Sequence, residues 1–176
     1  EMRRRAKVIN FGLLYGMEAY GLAQRLEISQ EEARQQMEAY FSQFPGVRAF
    51  MESIVVEARN TGYTETILGR RRYLPELVSG NFRERQAGER MALNAPIQGS
   101  AADIIKQAMI VLDERLEGTG AAMLLQVHDE LVIETPTEIQ PEVSTTIREV
   151  MERVVELRVP LVAEVGVGSN LADARH

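Results

Sequence analysis

The chain has 176 residues, no cysteine and a formal net charge of −6 at pH 7. Its hydrophobic content of 45% and its length suit one compact core, and the chain is too short for two domains that each have a core of ordinary size. The lack of cysteine excludes a disulfide framework and thiolate metal sites. No signal-peptide pattern opens the chain and no apolar run approaches the length of a membrane span, so we expect no membrane partner.

The first predicted helix, over about residues 2–15, carries two cations followed by two aromatic side chains. Arg3, Lys7, Phe11 and Tyr15 recur every four residues, which on a helix forms one stripe about 18 Å long. This stripe predicts a nucleotide site, with cations on the triphosphate and aromatic faces against the sugar and base. The alternative is an ordinary amphipathic helix with apolar core contacts and a solvated basic edge.

Two more helices and a basic hairpin are predicted next. A capping box at Ser29-Gln-Glu-Glu32 opens one helix, and Gly62 is a plausible stop for the other. The arginines after Gly69 suit a phosphate backbone, although a solvated turn explains them equally well. The predicted elements are helices over 29–41 and 47–59 and strands over 63–68 and 71–74.

The following segment repeats the four-residue spacing with polar side chains. Arg90, Asn94 and Gln98 share a helix face and can donate to the minor-groove acceptors that all base pairs present. The alternative is a surface helix that contacts no ligand. Pro96 and Gly99 predict a break between two helices here. These helices are expected over about 82–94 and 99–116.

A β-hairpin is predicted over residues 123–134, with its tip near His128 and Asp129. His-Asp-Glu is poor turn chemistry, because both central residues of a tight hairpin turn need positive φ. A carboxylate at a rigid tip suits Mg²⁺, which takes oxygen ligands, although a solvated polar turn is the alternative. A helix to about Leu157 and a strand over 159–167 beside the hairpin complete an α+β fold, with an antiparallel sheet backed by long helices.

Together these segments resemble the C-terminal part of a family A DNA polymerase of the bacterial DNA polymerase I type. The resemblance rests, in the family's order, on Arg3-x3-Lys7-x3-Phe11-x3-Tyr15-Gly16, Asn94-x-Pro96-x-Gln98-Gly-Ser-Ala-Ala-Asp103 and Gln126-Val-His128-Asp129-Glu130. It implies part of the fingers over 1–60 and part of the palm over 61–176, with the metal-binding hairpin in the palm. The thumb and a further palm strand would lie upstream.

The implied activity is DNA-directed DNA polymerisation, in which a primer 3′-hydroxyl attacks a deoxynucleotide with the help of two Mg²⁺ ions. Primer–template DNA and deoxynucleoside triphosphates would be the partners, in a cytoplasmic, nucleoid-associated bacterial enzyme of replication or repair. The nucleotide would contact Arg3, Lys7, Phe11, Tyr15 and Gly16. The DNA would contact Arg90, Asn94, Gln98 and His128. The catalytic residues would be Asp129 as metal ligand, Lys7 beside the leaving pyrophosphate, and Glu130 in a supporting role.

Two-metal phosphoryl transfer requires more than one carboxylate. Of the four aspartates only Asp129 belongs to the predicted hairpin, and nothing matches the family's upstream Asp-Tyr-Ser-type motif. We therefore expect the chain to be inactive alone and to need the upstream portion of the same polymerase. The alternative is a non-catalytic nucleic-acid-binding module. A His-Asp metal phosphohydrolase would need more histidines than His128 and His176.

The charge is unevenly distributed along the chain. Residues 1–106 carry 15 Lys+Arg and 13 Asp+Glu, whereas residues 107–176 carry 5 and 13. Because binding to DNA depends on neutralising phosphates, we expect the first part to face DNA and the acidic remainder to face away, apart from carboxylates that hold metal.

Overall fold

The computed structural model describes residues 2–174 and divides into two compact units, one ending at Ser100 and the other beginning at Ala101. The helices are α1 (Met2–Leu14), α2 (Ala19–Leu26), α3 (Gln30–Gln43), α4 (Pro45–Thr61), α5 (Phe82–Leu116), α6 (Gln140–Arg153) and α7 (Leu171–Ala174). The strands are β1 (Tyr63–Glu65), β2 (Arg71–Tyr73), β3 (Ala122–Val127) and β4 (Glu130–Glu134). Short 3₁₀ helices cover Pro75–Val78 and Thr137–Ile139.

The predicted α+β class is confirmed, but the strands form two separate two-stranded antiparallel sheets, β1–β2 and β3–β4. The boundary between the units falls inside α5, whereas the predicted fingers and palm divide near residue 60. That subdomain division stays a prediction. His176 lies outside the described residues. Within residues 2–174, no helix combines the length and the apolar character that crossing a membrane requires.

The start of α3 is the predicted capping box. The Ser29 hydroxyl accepts a hydrogen bond from the Glu32 backbone N–H at 3.1 Å, and the Glu32 carboxylate accepts one from the Ser29 N–H at 2.9 Å. This backbone hydrogen bond is the main cause that lowers the pKa of Glu32. The next helix begins at Pro45, two residues earlier than predicted, because proline is tolerated in the first turn. It ends at Thr61, and the predicted stop Gly62 is its C-cap, with φ of +81°.

The helix α2 is an element that the sequence analysis missed. Its Leu22 and Ala23 form a buried cluster with Ala33 of α3, and Val8 and Ile9 of α1 pack against this cluster. A hydrogen bond of 2.7 Å from the Tyr40 hydroxyl to the Asn10 side chain also joins α3 to α1. One face of α1 is thereby held in the core.

The prediction of two helices over 82–94 and 99–116 is wrong, because α5 runs unbroken from Phe82 to Leu116 with Pro96 inside it. Proline removes one backbone donor and disfavours the preceding turn, at a cost of roughly 3 kcal/mol. Ala92 and Leu93 are buried before it and Ser100 after it, and the Ser100 hydroxyl donates to the Pro96 carbonyl. Packing on both sides of the proline outweighs this local cost.

The β1–β2 hairpin is shorter than predicted. Its register pairs Tyr63 with Tyr73, Thr64 with Arg72, and Glu65 with Arg71. The five residues from Thr66 to Arg70 form the turn instead, closed by a backbone hydrogen bond of 3.0 Å from the Thr66 N–H to the Arg70 carbonyl.

Gly99 of α5 lies directly against this turn. A Cβ at Gly99 would lie only 2.6 Å from the Thr66 Cγ2 methyl. Gly99→Ala should therefore lower the free energy of unfolding by about 1 kcal/mol, because overpacking of about 1–3 kcal/mol exceeds a helix-propensity gain of about 1 kcal/mol. Urea denaturation measures the difference. Gly46→Ala, where the added Cβ meets open space, should not destabilise the chain, and equal effects of both changes would contradict the tight contact.

In the second unit the predicted hairpin is confirmed as β3 and β4, and Ala108 and Leu112 form a buried cluster with Val150 of α6. The predicted strand over 159–167 is wrong, because the described part of this unit has no strand there. A strand needs a neighbour with which to exchange backbone hydrogen bonds, and neither β3 nor β4 pairs with this segment. Pro160 also lacks a backbone donor, and the side chain of Val162 is 79% exposed.

Candidate nucleotide and nucleic-acid site

The cation–aromatic stripe lies along the outer face of α1. The Lys7 Nζ is 5.9 Å from the centroid of the Phe11 ring. The Phe11 and Tyr15 rings are 6.3 Å apart between centroids and inclined by 31°. Arg3, one turn before Lys7, is exposed. The stripe therefore presents a charged end and an aromatic end in sequence.

Burial distinguishes this face from an ordinary core-facing stripe. Gly12 and Leu13 are buried on α1, whereas the ring of Phe11 is 46% exposed and Lys7 is exposed. An aromatic ring that packed in the hydrophobic core would be buried, as the side chain of Leu13 is. The exposed ring is available for a ligand that has an apolar face, such as a sugar or a base.

The end of the stripe packs against α5 close to a predicted DNA-binding residue. Gly16 has φ of +75°, a conformation that suits glycine. A Cβ there would lie 3.0 Å from the Leu93 Cδ1 and 3.6 Å from the Arg90 Cγ. The structure thus brings the predicted nucleotide site and Arg90 together within the first unit.

The polar face of α5 is open at both ends and partly covered in the middle. Arg90 and Gln98 are exposed, while the side-chain oxygen of Asn94 is buried and finds no hydrogen-bond partner among the described residues. A buried acceptor without a partner costs roughly 1–3 kcal/mol, so a native site with one calls for a water or a ligand group. This polar face is therefore a candidate for ligand contact.

The β3–β4 hairpin turns through two residues, His128 and Asp129, and both side chains are exposed. His128 has φ of +56°, which is uncommon for a residue other than glycine. The side-chain amide of Gln126 donates to the His128 carbonyl and so braces the turn from within β3. This brace is a contact that sequence reasoning missed, although Gln126 stands in the quoted motif.

The residues at this turn fit one ligand position of a hard metal ion. Asp129 offers an exposed carboxylate, and such oxygens are the ligands that Mg²⁺ takes. Within residues 2–174, however, no group of three or more acidic or histidine side chains comes together. Asp103 is buried in α5 and Asp113 is exposed on α5, so neither belongs to a strand. Within its described residues, the second unit therefore shows no cluster of ligands for two metal ions.

An open cation–aromatic stripe, a polar helix face beside it and an acid-bearing hairpin are typical of proteins that handle nucleotides and nucleic acids. Residues 1–173 match the sequence model of DNA polymerase family A. The chain belongs to this family.

Similar proteins agree with this assignment. The chain is 54% identical to DNA polymerase I of Bacillus caldotenax and 53% identical to that of Mycobacterium leprae, over 99% and 100% of its length. It is 53% identical to the thermostable DNA polymerase I of Thermus aquaticus, also over 99% of its length. It spans only 20–21% of the length of these relatives.

A solved structure covers the whole chain. The POL domain of Pol1 from M. smegmatis, in complex with DNA primer-template and dNTP, is 54% identical and superposes with a TM-score of 0.97. The match covers 100% of this chain and 31% of the chain in that structure.

Proposed function

We propose that this chain forms part of the fingers (1–60) and part of the palm (61–176) of a DNA-directed DNA polymerase. The observation that carries the proposal is the stripe of α1, in which the exposed Lys7 and Phe11 are followed by the half-buried Tyr15. Curated relatives more than 50% identical are DNA polymerases I, and the similar solved domain is in complex with primer-template DNA and dNTP. The reaction is attack of a primer 3′-hydroxyl on the α-phosphate of a deoxynucleoside triphosphate.

We propose a role for each nucleotide-binding residue of the stripe. Arg3 and Lys7 hold the triphosphate through charge-assisted hydrogen bonds, and Lys7 stabilises the charge on the leaving pyrophosphate. Phe11 packs against the sugar. Tyr15 lies at the templating base, where the turn at Gly16 packs closely on α5.

The proposed DNA contacts are on the polar face of α5 in the first unit and, in the second unit, at the tip of the β3–β4 hairpin. Arg90, Asn94 and Gln98 contact the primer and template through groove acceptors that every base pair presents, so they read duplex shape more than sequence. His128 contacts the growing primer end. Glu130 supports the catalytic carboxylate.

Asp129 is the residue that would hold Mg²⁺, which neutralises charge on the phosphates during transfer. A two-metal site needs a further carboxylate, which we propose comes from the upstream portion of the same polymerase. The chain would work in a cytoplasmic, nucleoid-associated enzyme of DNA replication or repair.

A chimeric polymerase tests this proposal. Residues 1–176 should replace the matched fifth of Thermus aquaticus DNA polymerase I and retain Mg²⁺-dependent primer extension, whereas the 176 residues alone should extend no primer. Primer extension by the 176 residues alone would mean that another carboxylate of this chain supplies the second metal ligand. An inactive but folded chimera that still binds primer–template would favour the second candidate, a non-catalytic nucleic-acid-binding module.

Phe11→Tyr in the chimera should ease the incorporation of dideoxynucleotides relative to deoxynucleotides. A phenol hydroxyl against the sugar can replace the hydrogen bond lost with the 3′-hydroxyl, which is worth roughly 0.5–1.5 kcal/mol, or about 2- to 12-fold in selectivity. The ratio of kcat/KM for the two nucleotides measures it. Phe50→Tyr on α4, where the ring is similarly exposed at 48%, is the control. An unchanged ratio in Phe11→Tyr would count against a sugar-facing ring.

A further inference from the structure

The first unit contains a basic groove between the β1–β2 hairpin and α5. Its volume is about 180 Å³, and its lining includes Arg70, Arg71 and Arg72 from the hairpin and Gln98 from α5. Glu65 is the one acidic residue in this lining. The groove therefore carries a surplus of positive charge next to a side chain that we assign to DNA contact.

We propose that this groove binds a backbone phosphate of the DNA, with the Arg72 guanidinium and the Gln98 amide as the donors. The proposal rests on the proposed function and extends the DNA-binding surface of α5 onto the β1–β2 hairpin. Phosphate contacts of this kind fix the register of a protein on a duplex without reading its sequence.

Two hydrogen bonds join the hairpin to α5 beside the groove. The Ile67 N–H donates to the Ser100 hydroxyl at 2.9 Å. The Arg70 guanidinium donates to the Gly99 carbonyl at 3.1 Å, and the missing side chain of Gly99 permits this close approach. Gly99 and Ser100 directly follow Gln98 in α5. The two hydrogen bonds therefore hold the arginine run beside the polar face of α5.

The three arginines have different tasks. The Arg71 Nε donates to the Glu65 carboxylate at 2.6 Å, and its guanidinium lies 4.4 Å from the centroid of the Tyr63 ring. Its charge is therefore balanced within the hairpin. Arg70 donates to the Gly99 carbonyl and so joins the hairpin to α5.

Arg72 points to the other face of the hairpin. It pairs with Thr64 in the register, and successive side chains of a strand alternate between faces. Thr64 is only 8% exposed, so the hairpin face that carries Thr64 and Arg72 is the one that packs on the rest of the unit. The Arg72 side chain itself remains exposed. Arg72 thus reaches the groove rim on the same side as Gln98.

The groove suits a strand backbone better than a free nucleotide. A nucleotide site offers aromatic faces, but the Tyr63 and Tyr73 rings pair with each other at 5.7 Å on the hairpin face opposite Arg72. The lining offers guanidinium, amide and hydroxyl groups, which match phosphate oxygens. A phosphodiester needs only such donors.

The salt dependence of DNA binding by the chimeric polymerase tests the site. Fluorescence anisotropy with a labelled primer–template gives Kd at several salt concentrations. Arg72→Ala should weaken binding and reduce the slope of log Kd against log salt by about 1, since one phosphate contact is lost. Arg72→Lys should largely keep the slope, because it keeps the charge. Arg34→Ala on α3, an exposed arginine that pairs with Glu31, is the matched control and should leave the slope unchanged.

The outcomes separate this inference from the proposed function. If the parent chimera binds primer–template but Arg72→Ala has the slope of the parent, the phosphate site is overturned and the polymerase function stands. If the parent chimera binds no primer–template, both fall. Titration with inorganic phosphate completes the test. Suppose that inorganic phosphate competes with DNA in the parent chimera but not in Arg72→Ala, while the slope of log Kd against log salt is the same in both. The groove would then bind a free anion, and its assignment to DNA would be overturned.

Discussion

Replacing Asp129 with asparagine in the chimeric polymerase should lower kcat by about 10³-fold or more while the Kd for primer–template changes little. Removing one preorganised neutral donor from a catalytic site already costs about 10²–10³ in kcat, and a metal-binding carboxylate contributes a full charge. Asparagine keeps the size of the side chain and is well tolerated in tight turns, so the β3–β4 turn should persist. Single-turnover primer extension and anisotropy measure the two quantities.

Asp113→Asn provides the matched control, since Asp113 is an exposed aspartate on α5 outside the hairpin. It should leave both kcat and Kd unchanged. Near-normal turnover in Asp129→Asn would remove Asp129 from the metal site. A loss of primer–template binding equal to the loss of kcat would instead assign Asp129 a role in shaping the hairpin.

The β3–β4 hairpin shows what local sequence can predict. Two apolar, β-prone runs around a polar triplet were enough to place the strands and the turn, because such runs are a short-range signal. A tight hairpin turn requires positive φ in its central residues, and His128 has φ of +56° although it is not a glycine. The brace from Gln126 was not predictable, because it depends on how the amide folds back towards the turn.

The helix α5 shows where local rules fail. Pro96 and Gly99 predict a break, yet the helix continues because residues on both sides of them pack against other elements. Gly99 proves to be a contact residue rather than a helix breaker, since the Thr66 methyl occupies the space of a side chain. Such a contact joins residues 33 positions apart and has no signature in local periodicity.

The prediction of a strand over 159–167 is wrong because, within residues 2–174, tertiary contacts that a strand needs are missing there. Its β-prone composition predicts a strand, but a strand exists only where another backbone accepts its hydrogen bonds. Within the described part of the second unit no element supplies that backbone. The α1 stripe needed no such partner, because four-residue spacing on one helix fixes its geometry alone.

Lys7→Ala in the chimeric polymerase should lower kcat by about 10²-fold and raise the apparent KM for deoxynucleotides, with the Kd for primer–template unchanged. The ammonium lies at the charged end of the stripe. In the role that we propose, it neutralises the charge that develops on the leaving pyrophosphate, so its loss should act mainly on the transition state. Its contact with Phe11, 5.9 Å from the ring centroid, is exposed and contributes only about 0.5–1 kcal/mol. Pre-steady-state nucleotide titrations separate the effect on kcat from the effect on KM.

Two further variants distinguish charge at this position from charge in general. Lys106→Ala removes the chain's other lysine, which lies on α5 in the second unit, and should leave both kinetic constants unchanged. Lys7→Arg keeps a cation but changes its shape, and should recover nucleotide binding more fully than kcat. If Lys7→Ala weakened only primer–template binding, the charged end of α1 would face the DNA, and the order of phosphate, sugar and base along the stripe would be wrong.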